Sequence, residues 1–284
     1  MLTDAHCHPF DLVNIFSGAE AQCASLGVTR AAGADDGESF KYIESLAQNA
    51  KNTGAPEVLC CFAVHPQMPL AAQNGERLPP LHDGIALLEN LAAAGRLAAI
   101  GETGFDLFNA AFRGTEKTQD ELFAVHLENA LRFNLPLVLH VRRAMHKIFA
   151  RARELKKCPA VIFHSWPGTA GEGEALLKRG INAFFSFGAA VMLNHHEAMR
   201  CAALFPAGRI LTETDAPYQP PGGKQFSAYD CLPAIVKAIA VLREKSGCGG
   251  ADAKELETII ENNFYTAFNP AAAAAAILYP AVSL

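Results

Sequence analysis

Residues 58–64 read VLCCFAV and residues 137–141 read LVLHV, and both runs are almost entirely apolar. Runs of this length and composition are typical of β-strands that are covered on both faces, as in a parallel sheet packed under helices. Longer segments with apolar residues at helical spacing lie between such runs, as in residues 118–133. The alternation indicates repeated strand–helix units.

This alternation continues along the chain and predicts eight strands, at residues 2–8, 28–33, 57–65, 97–101, 137–141, 159–164, 182–187 and 209–214. Between and after them it predicts helices at about 36–53, 82–95, 116–134, 143–156, 170–180 and 228–246. Eight is the number of parallel strands that closes a barrel. The expected fold class is therefore α/β, a single (β/α)₈ TIM barrel.

The chain has 284 residues, and one such barrel needs roughly 250. No linker rich in Gly, Pro or Ser divides it, since PYQPPGGKQFSAYD (217–230) has only the length of a loop. We therefore expect residues 1–284 to form one domain. Residues 271–284, which begin with an alanine run, would be the end of a terminal helix or a flexible tail.

Composition limits the possible partners. Hydrophobic residues make up 50% of the chain and the formal net charge is -5. This balance argues against nucleic-acid binding by a broad basic surface, although a nucleic acid held locally by metal ions is compatible with it. The N-terminal MLTDAHCHPF is unlike a signal peptide, and no apolar run is long enough to cross a membrane. The expected location is the cytoplasm, with no membrane partner and with reduced cysteines.

Potential metal ligands coincide with the ends of the predicted strands. His6 and His8 stand two apart in strand one, so both imidazoles leave the same face of the strand. The other four follow the same rule, at the ends of strands four, five, six and eight: Glu102, His140, His164 and Asp215. The C-terminal ends of barrel strands are where such folds place their sites.

Four histidines and two carboxylates suit Zn²⁺, Mn²⁺ or Mg²⁺ and exceed what one open catalytic ion needs. They are sufficient for two divalent ions that share a bridging carboxylate, for which Glu102 is the natural candidate. Two such ions activate a water and stabilise the leaving oxygen of an ester. Asp215 could bind one ion and also take the proton of the attacking water.

The series HxH, GETGFD, LPLVLHVRRA, FHSWPG, FFSFG and ETDAPY resembles the motifs of the TatD-like deoxyribonucleases of the amidohydrolase superfamily. The motifs run in order from residue 4 to about 218, and ENNFYTAF (261–268) resembles the closing helix of that family. The resemblance implies a divalent-metal-dependent phosphodiesterase acting on DNA, with the six residues above as ligands. Of these, Asp215 and Glu102 are the expected catalytic residues.

The resemblance also implies roles around the ligands. His65 would contact substrate, or it would be a strand-end histidine bonded to its own loop. Arg142 would bind phosphate, or it would cap the following helix. Asp106 would orient a ligand or a loop, and Trp166 would stack on a base or pack in the wall. The remaining histidines have no partner in the pattern and are expected to be non-functional: His82, His126, His146, His195 and His196.

Departures from the family pattern fall in the loops that follow the strands. HVRRA (140–144) replaces an HSRDA-like segment, HSWPG (164–168) replaces an HCFSG-like segment, and GGKQFSAYD (222–230) retains Lys224 as its one cation. Because such loops determine the substrate, two alternatives to a DNase stay open. One is an amidohydrolase-type enzyme acting on a small phosphoester, lactone or amide. The other is a non-catalytic metal-binding protein, which would not need an open water site.

Overall fold

A computed structural model describes residues 1–76, 80–248 and 252–269. Its eight strands are all parallel and neighbour one another in chain order. They are β1 Thr3–Cys7, β2 Thr29–Ala34, β3 Val58–Phe62, β4 Ala99–Asp106, β5 Leu137–Arg142, β6 Val161–Phe163, β7 Ala183–Phe187 and β8 Ile210–Thr212. The predicted eight-stranded barrel is confirmed. The predicted tail, 271–284, lies outside the described residues.

The helices surround the barrel, and those within the described ranges begin with α1 Pro9–Ile15, α2 Ala19–Leu26, α3 Gly37–Thr53, α4 Met68–Gln73, α5 Leu81–Ala93, α6 Ala110–Arg113 and α7 Glu116–Phe133. They continue with α8 Met145–Ala150, α9 Ala152–Leu155, α10 Ala170–Lys178, α11 His196–Leu204, α12 Leu232–Lys245 and α13 Ala253–Phe268. Three short 3₁₀ segments are Ala189–Met192, Ala207–Arg209 and Tyr229–Cys231. Among the described helices, none is both long and apolar enough to cross a membrane.

The first and last strands meet through hydrogen bonds that continue beyond β8. Asp215 N donates to the His6 carbonyl at 2.9 Å, and His8 N donates to the Ala216 carbonyl at 2.7 Å. The buried Asp4 carboxylate adds two more bonds, from Thr214 N at 2.9 Å and from Thr214 Oγ1 at 2.6 Å. These hydrogen bonds therefore align Asp215 with His6 in β1 and with His8 directly after it.

The barrel interior is filled by small and apolar side chains toward the bottom. Ala5, Ala31, Ala99 and Ala160 are buried there, and α13 packs Phe264 and Phe268 against the same cluster. The larger apolar cluster lies between the strands and the surrounding helices. With α13 packed over the bottom, ligands can reach the described part of the barrel near the C-terminal ends of the strands.

Strand β4 is longer than its sequence predicts. The expected strand, 97–101, ends before Glu102, whereas the observed strand runs to Asp106 and pairs Gly104 with His140 and Asp106 with Arg142. Glycine permits this pairing, because Gly104 has a φ of +133° and a Cβ there would overlap the His140 carbonyl oxygen. Glu102 therefore projects from within a strand and not from its end.

Candidate metal centre

The six predicted ligands converge at the C-terminal mouth of the barrel. His6 and His140 lie within β1 and β5, His8 and His164 directly follow β1 and β6, and Asp215 follows β8. All of them, except the partly exposed His8, are buried. A cavity of about 1040 Å³ opens on this group and is lined by five of the six, the exception being the buried His6.

Glu102 is at the centre of the group. Its Oε1 lies 2.6 Å from His140 Nδ1, 2.7 Å from His164 Nε2 and 3.3 Å from His65 Nε2. Its Oε2 lies 3.0 Å from His6 Nε2 and 3.6 Å from His8 Nε2. The two oxygens of one carboxylate thus face two different sets of imidazole nitrogens.

Asp215 completes the second of these sets. Its Oδ1 lies 3.5 Å from His8 Nε2 and 3.7 Å from His6 Nε2, and those two nitrogens are only 3.1 Å apart. Three groups have atoms close enough to share an ion: His6, His8 and Glu102; His6, His164 and Asp215; His65, Glu102 and His140.

The buried histidines and carboxylates shift each other's pKa. Burial alone would raise the pKa of Glu102, but the facing His164 and His65, with the other imidazoles, lower it well below its usual range. Burial likewise opposes charge on His8, yet Asp215 and Glu102 raise the pKa of that imidazole to about 10. The buried carboxylates therefore require positive charge beside them, supplied by protons on imidazole or by a bound cation.

The donor set fits a divalent cation. Buried imidazole nitrogens and carboxylate oxygens point at shared positions, and nitrogen and oxygen ligands without thiolate suit Zn²⁺ or Mn²⁺. Two ring nitrogens at 3.1 Å, as in His6 and His8, are readily accommodated when both lone pairs face one ion. Cys7, between these two histidines, is buried but belongs to none of the three groups.

His65 is expected from the sequence to contact substrate, but its side chain lies directly beside two candidate ligands, Glu102 and His140. Besides facing Glu102, its ring packs edge-on against His140 with centroids 4.9 Å apart. It also receives the Gln67 backbone N–H at Nδ1, at 3.2 Å. The loop bond therefore orients the ring so that Nε2 faces the centre.

Asp106 and Arg142 form a second group beside the centre. Asp106 Oδ2 lies 3.2 Å from His140 Nε2, 2.7 Å from Gln67 Nε2 and 3.2 Å from Arg142 Nη1. Burial opposes its charge, but His140 and Gln67, as hydrogen-bond donors, lower the pKa of Asp106 below its usual range. As expected from the sequence, Asp106 contacts and orients a candidate ligand. The Arg142 guanidinium lines the cavity and does not cap the next helix.

A series of hydrogen bonds supports Asp215 from the other side. Gln219 Nε2 donates to Asp215 Oδ2 at 2.7 Å and to Ser165 Oγ at 2.6 Å. Ser165 Oγ donates to Glu213 Oε1 at 2.6 Å, and Ser165 N donates to the same oxygen at 2.7 Å. Glu213 Oε1 also lies 3.6 Å from His164 Nδ1.

Sequence reasoning missed several residues of this site. Asp4 and Glu213 are buried carboxylates, each two residues before a predicted ligand, and that spacing was the one signal that could have found them. Gln67 and Gln219 lie in loops without any pattern. The prediction also gave no role to the neighbours His195 and His196, which line the same cavity as the candidate ligands.

The other side chains with open alternatives are also located. Trp166 is buried, and its ring contacts Phe163, Phe185 and Phe205 with centroids 4.7–5.7 Å apart, so it packs in the wall. His126 is buried, accepts from Val64 N and contacts the Leu122 carbonyl, a structural role. Lys224 is engaged with Asp230 at 2.6 Å and is not directed at the centre.

Several known proteins resemble this chain along most of its length. Residues 3–269 match the TatD related DNase family. An uncharacterized metal-dependent hydrolase TatD of Mycobacterium tuberculosis is 30% identical over 252 residues, 85% of this chain and 90% of that protein. The 3'-5' ssDNA/RNA exonuclease TatD of Escherichia coli K12 is 33% identical over 193 residues, 64% of this chain and 70% of that protein.

Solved structures share the fold. The TatD homologue YJJV of Escherichia coli K12 superposes with a TM-score of 0.77 at 24% identity, covering 94% of this chain and 98% of that one. A hydrolase of the TatD family from Entamoeba histolytica superposes with a TM-score of 0.74 at 16% identity, covering 95% of this chain and 98% of that one.

The barrel, with histidines and carboxylates gathered at its C-terminal mouth, defines a metal-dependent hydrolase acting on ester bonds. The match over residues 3–269 makes the family explicit. This chain belongs to the TatD related DNase family, and the resemblance seen in its motifs is confirmed. The alternatives of a small-ester, lactone or amide hydrolase and of a non-catalytic metal-binding protein are not favoured.

Proposed function

We propose that this chain is a two-metal phosphodiesterase that removes nucleotides from the end of single-stranded DNA or RNA. The observation that supports it best is the position of Glu102, whose two carboxylate oxygens face separate sets of imidazole nitrogens. A carboxylate in this position can bridge two ions, which is the arrangement found in two-metal hydrolases. The exonuclease name of the E. coli relative suggests the substrate.

The ligands divide into two sets that share Glu102. His6, His8 and Asp215 would hold one ion, and His140 and His164 would hold the other. His164 also lies within reach of His6 and Asp215, so the two sets are adjacent. When bound, two such ions activate a water and stabilise the leaving oxygen. The ions would be Zn²⁺, Mn²⁺ or Mg²⁺, and His65 is placed to join the second set or to meet a substrate oxygen.

Asp215 would act in both binding and proton transfer. Its Oδ1 faces His6 and His8, whereas its Oδ2 is held by the Gln219 amide. A carboxylate fixed at one oxygen keeps the other directed into the centre, where it would be placed to take a proton from a water. Arg142, which lines the cavity beside Asp106, would bind a non-bridging phosphate oxygen.

We expect the cavity to bind single-stranded nucleic acid in preference to a duplex. Its volume of about 1040 Å³ is enclosed by loops that follow several strands, including the segment with His195 and His196. A single strand can enter such a recess end-first, whereas a duplex would have to separate. We further propose that residues 1–284 are one catalytic domain. The cytoplasmic location remains a prediction.

The test is an assay of the purified chain with Mg²⁺, Mn²⁺ or Zn²⁺ on end-labelled single-stranded DNA, single-stranded RNA, duplex DNA and a panel of small esters. We expect stepwise shortening of the single strands, less activity on duplex, and none after chelation. Asp215→Asn and Glu102→Gln should abolish it. The control variant is His82→Gln, since the His82 side chain is 83% exposed and belongs to none of the ligand groups.

Two outcomes would contradict the proposal. Hydrolysis of small esters with no cleavage of any oligonucleotide would assign the site to another substrate. Full activity of Asp215→Asn, with the variant folded by circular dichroism and loaded with metal, would remove Asp215 from its proposed role.

A further inference from the structure

We infer that Phe108, Arg142 and Arg143 form a platform on the rim of the barrel that binds the single-stranded polynucleotide next to the bond being cleaved. This inference rests on the proposed function and adds to it where the rest of the strand lies. These three residues are called the rim platform.

The rim platform begins at the metal centre. The candidate ligand His140 contacts Asp106, with Nε2 and Oδ2 3.2 Å apart, and Asp106 contacts Arg142 Nη1, also at 3.2 Å. The Arg142 guanidinium carbon lies 4.2 Å from the centre of the Phe108 ring. A strand whose terminal phosphodiester is at the metals would therefore meet these side chains at its next residue.

Phe108, just after β4, presents a large apolar side chain that is 42% exposed. Besides Arg142, a second cation lies over it, since the Arg143 guanidinium carbon is 4.8 Å from the ring centre. Aromatic rings and guanidinium planes both stack on nucleobases without regard to sequence, and guanidinium also binds phosphate. This combination is that of sites for single-stranded nucleic acid.

Arg143 is held in place by backbone features. Its φ is +54°, and its Nη1 donates to the Phe108 carbonyl oxygen at 3.1 Å. Within the described parts of the chain, no carboxylate lies at ion-pair distance from Arg143, whereas Arg142 is paired with Asp106. Arg143 thus keeps an uncompensated positive charge at an exposed position.

The sequence places two arginines side by side at this point, since HVRRA (140–144) has Arg142 and Arg143 directly after the end of the apolar run. Nearby, Arg113 is also exposed, and its guanidinium bonds the Leu107 carbonyl. In a chain with net charge -5, a local cluster of cations beside the centre points to an anionic ligand.

The experiment compares a small phosphodiester with oligonucleotides long enough to extend from the metal centre over the rim. Methyl 4-nitrophenyl phosphate is short enough to reach only the metals and Arg142, whereas single-stranded oligonucleotides of dT and of U also extend over Phe108 and Arg143. We expect Arg143→Gln and Phe108→Ala to leave kcat/KM for the small diester unchanged. For oligonucleotides, Phe108→Ala should raise KM about 10-fold, the loss of one stacked base. Phe108→Tyr should restore it.

A salt series adds a second readout. In an inactive Asp215→Asn background, Arg143→Gln should reduce the slope of log affinity against log salt by about 0.7, the value for one phosphate contact on a single strand. The control is Arg132→Gln. Arg132 is likewise exposed, and its guanidinium carbon lies 5.0 Å from the centre of the Phe133 ring. It is at the C-terminal end of α7, which is remote from the mouth of the barrel.

The two proposals fail in different ways. Unchanged KM and unchanged salt slope in Arg143→Gln and Phe108→Ala, with oligonucleotides still degraded, would overturn the rim platform and leave the proposed function standing. Absence of oligonucleotide cleavage by the wild-type chain, with the small diester hydrolysed, would overturn the proposed function itself and the rim platform with it.

Discussion

The side-chain amide of Gln219 donates a hydrogen bond to Asp215, with Gln219 Nε2 2.7 Å from Oδ2 of the carboxylate. The same nitrogen donates to Ser165 Oγ, so both amide hydrogens are used. Asp215 is thereby fixed at one oxygen, and its other oxygen faces His6 and His8. Such partners of metal ligands control ligand orientation.

Replacing Gln219 should therefore impair the centre through Asp215. We expect Gln219→Ala to lower kcat or metal affinity about 10-fold, the lower end of the range for partners of metal ligands. Gln219→Glu should do more damage, because a carboxylate cannot donate to Asp215 and repels it. Steady-state kinetics with metal titration measures both, and Gln225→Ala in the same loop is the control. Equal parameters in all three variants would show that the hydrogen bond is not needed.

Removing Glu102 should cost more than removing any single histidine. Its two oxygens contact both sets of imidazoles, so Glu102→Ala takes a ligand from each proposed ion at once. Metal analysis of the purified variant should show a loss of at least one equivalent. The single variants His6→Ala and His164→Ala should lose less under the same conditions. Two tightly held ions in Glu102→Ala would mean that the carboxylate does not bridge.

The ligand cluster could be predicted from sequence because barrel strands point the same way. A polar residue at the end of each apolar run must then lie at one rim, so strand-end His164 and Asp215 were found without any knowledge of distances. The end of β4 was misjudged because Gly, Glu and Asp disfavour strands locally, while pairing with β5 overrides that preference.

The partners of the ligands could not be predicted in the same way. Gln219 reaches Ser165, which is 54 residues away in sequence, through a loop whose path depends on the residues around it. Asp4 is buried within β1 and Glu213 directly after β8, where sequence periodicity predicts side chains packing in the core. Contacts of this kind depend on tertiary geometry and have no local signature.

His126 should make stability depend on pH. It is buried, with Nε2 accepting from Val64 N, and burial lowers its pKa to about 4 from an ordinary value of 6.5. Below pH 6.5 the unfolded chain binds a proton that the folded chain does not, so stability falls as pH falls toward 4. The expected loss from this residue is about 2 kcal/mol between pH 7 and pH 5.

The matched variant for this effect is His126→Gln, whose amide can bond both Val64 N and the Leu122 carbonyl but does not titrate. Urea unfolding at pH 7, 6 and 5 gives the free energy of unfolding of both proteins, and the difference between them should shift in favour of the variant as pH falls. A constant difference across the series would show that His126 titrates normally in the folded state.

Adding a methyl group at an exposed helical glycine should increase the free energy of unfolding. Gly171 lies in α10, and a Cβ at that position would have no neighbouring atom within 4 Å. Gly171→Ala should therefore stabilise the fold by about 0.5–1 kcal/mol, because alanine loses less backbone entropy when the helix forms. Urea denaturation measures the free energy of unfolding. A variant less stable than the wild type would show that the methyl group meets an obstacle in α10.

The same substitution at Gly104 should have the opposite effect. Its φ is +133° and a Cβ would overlap the His140 carbonyl oxygen, so Gly104→Ala must push β4 away from β5 or strain both strands. We expect a loss of about 3 kcal/mol in the free energy of unfolding. Because Glu102 and Asp106 share β4, metal binding should weaken too, and urea denaturation with and without metal measures both effects. A Gly104→Ala protein as stable as the wild type would show that the two strands are not held as closely as their register implies.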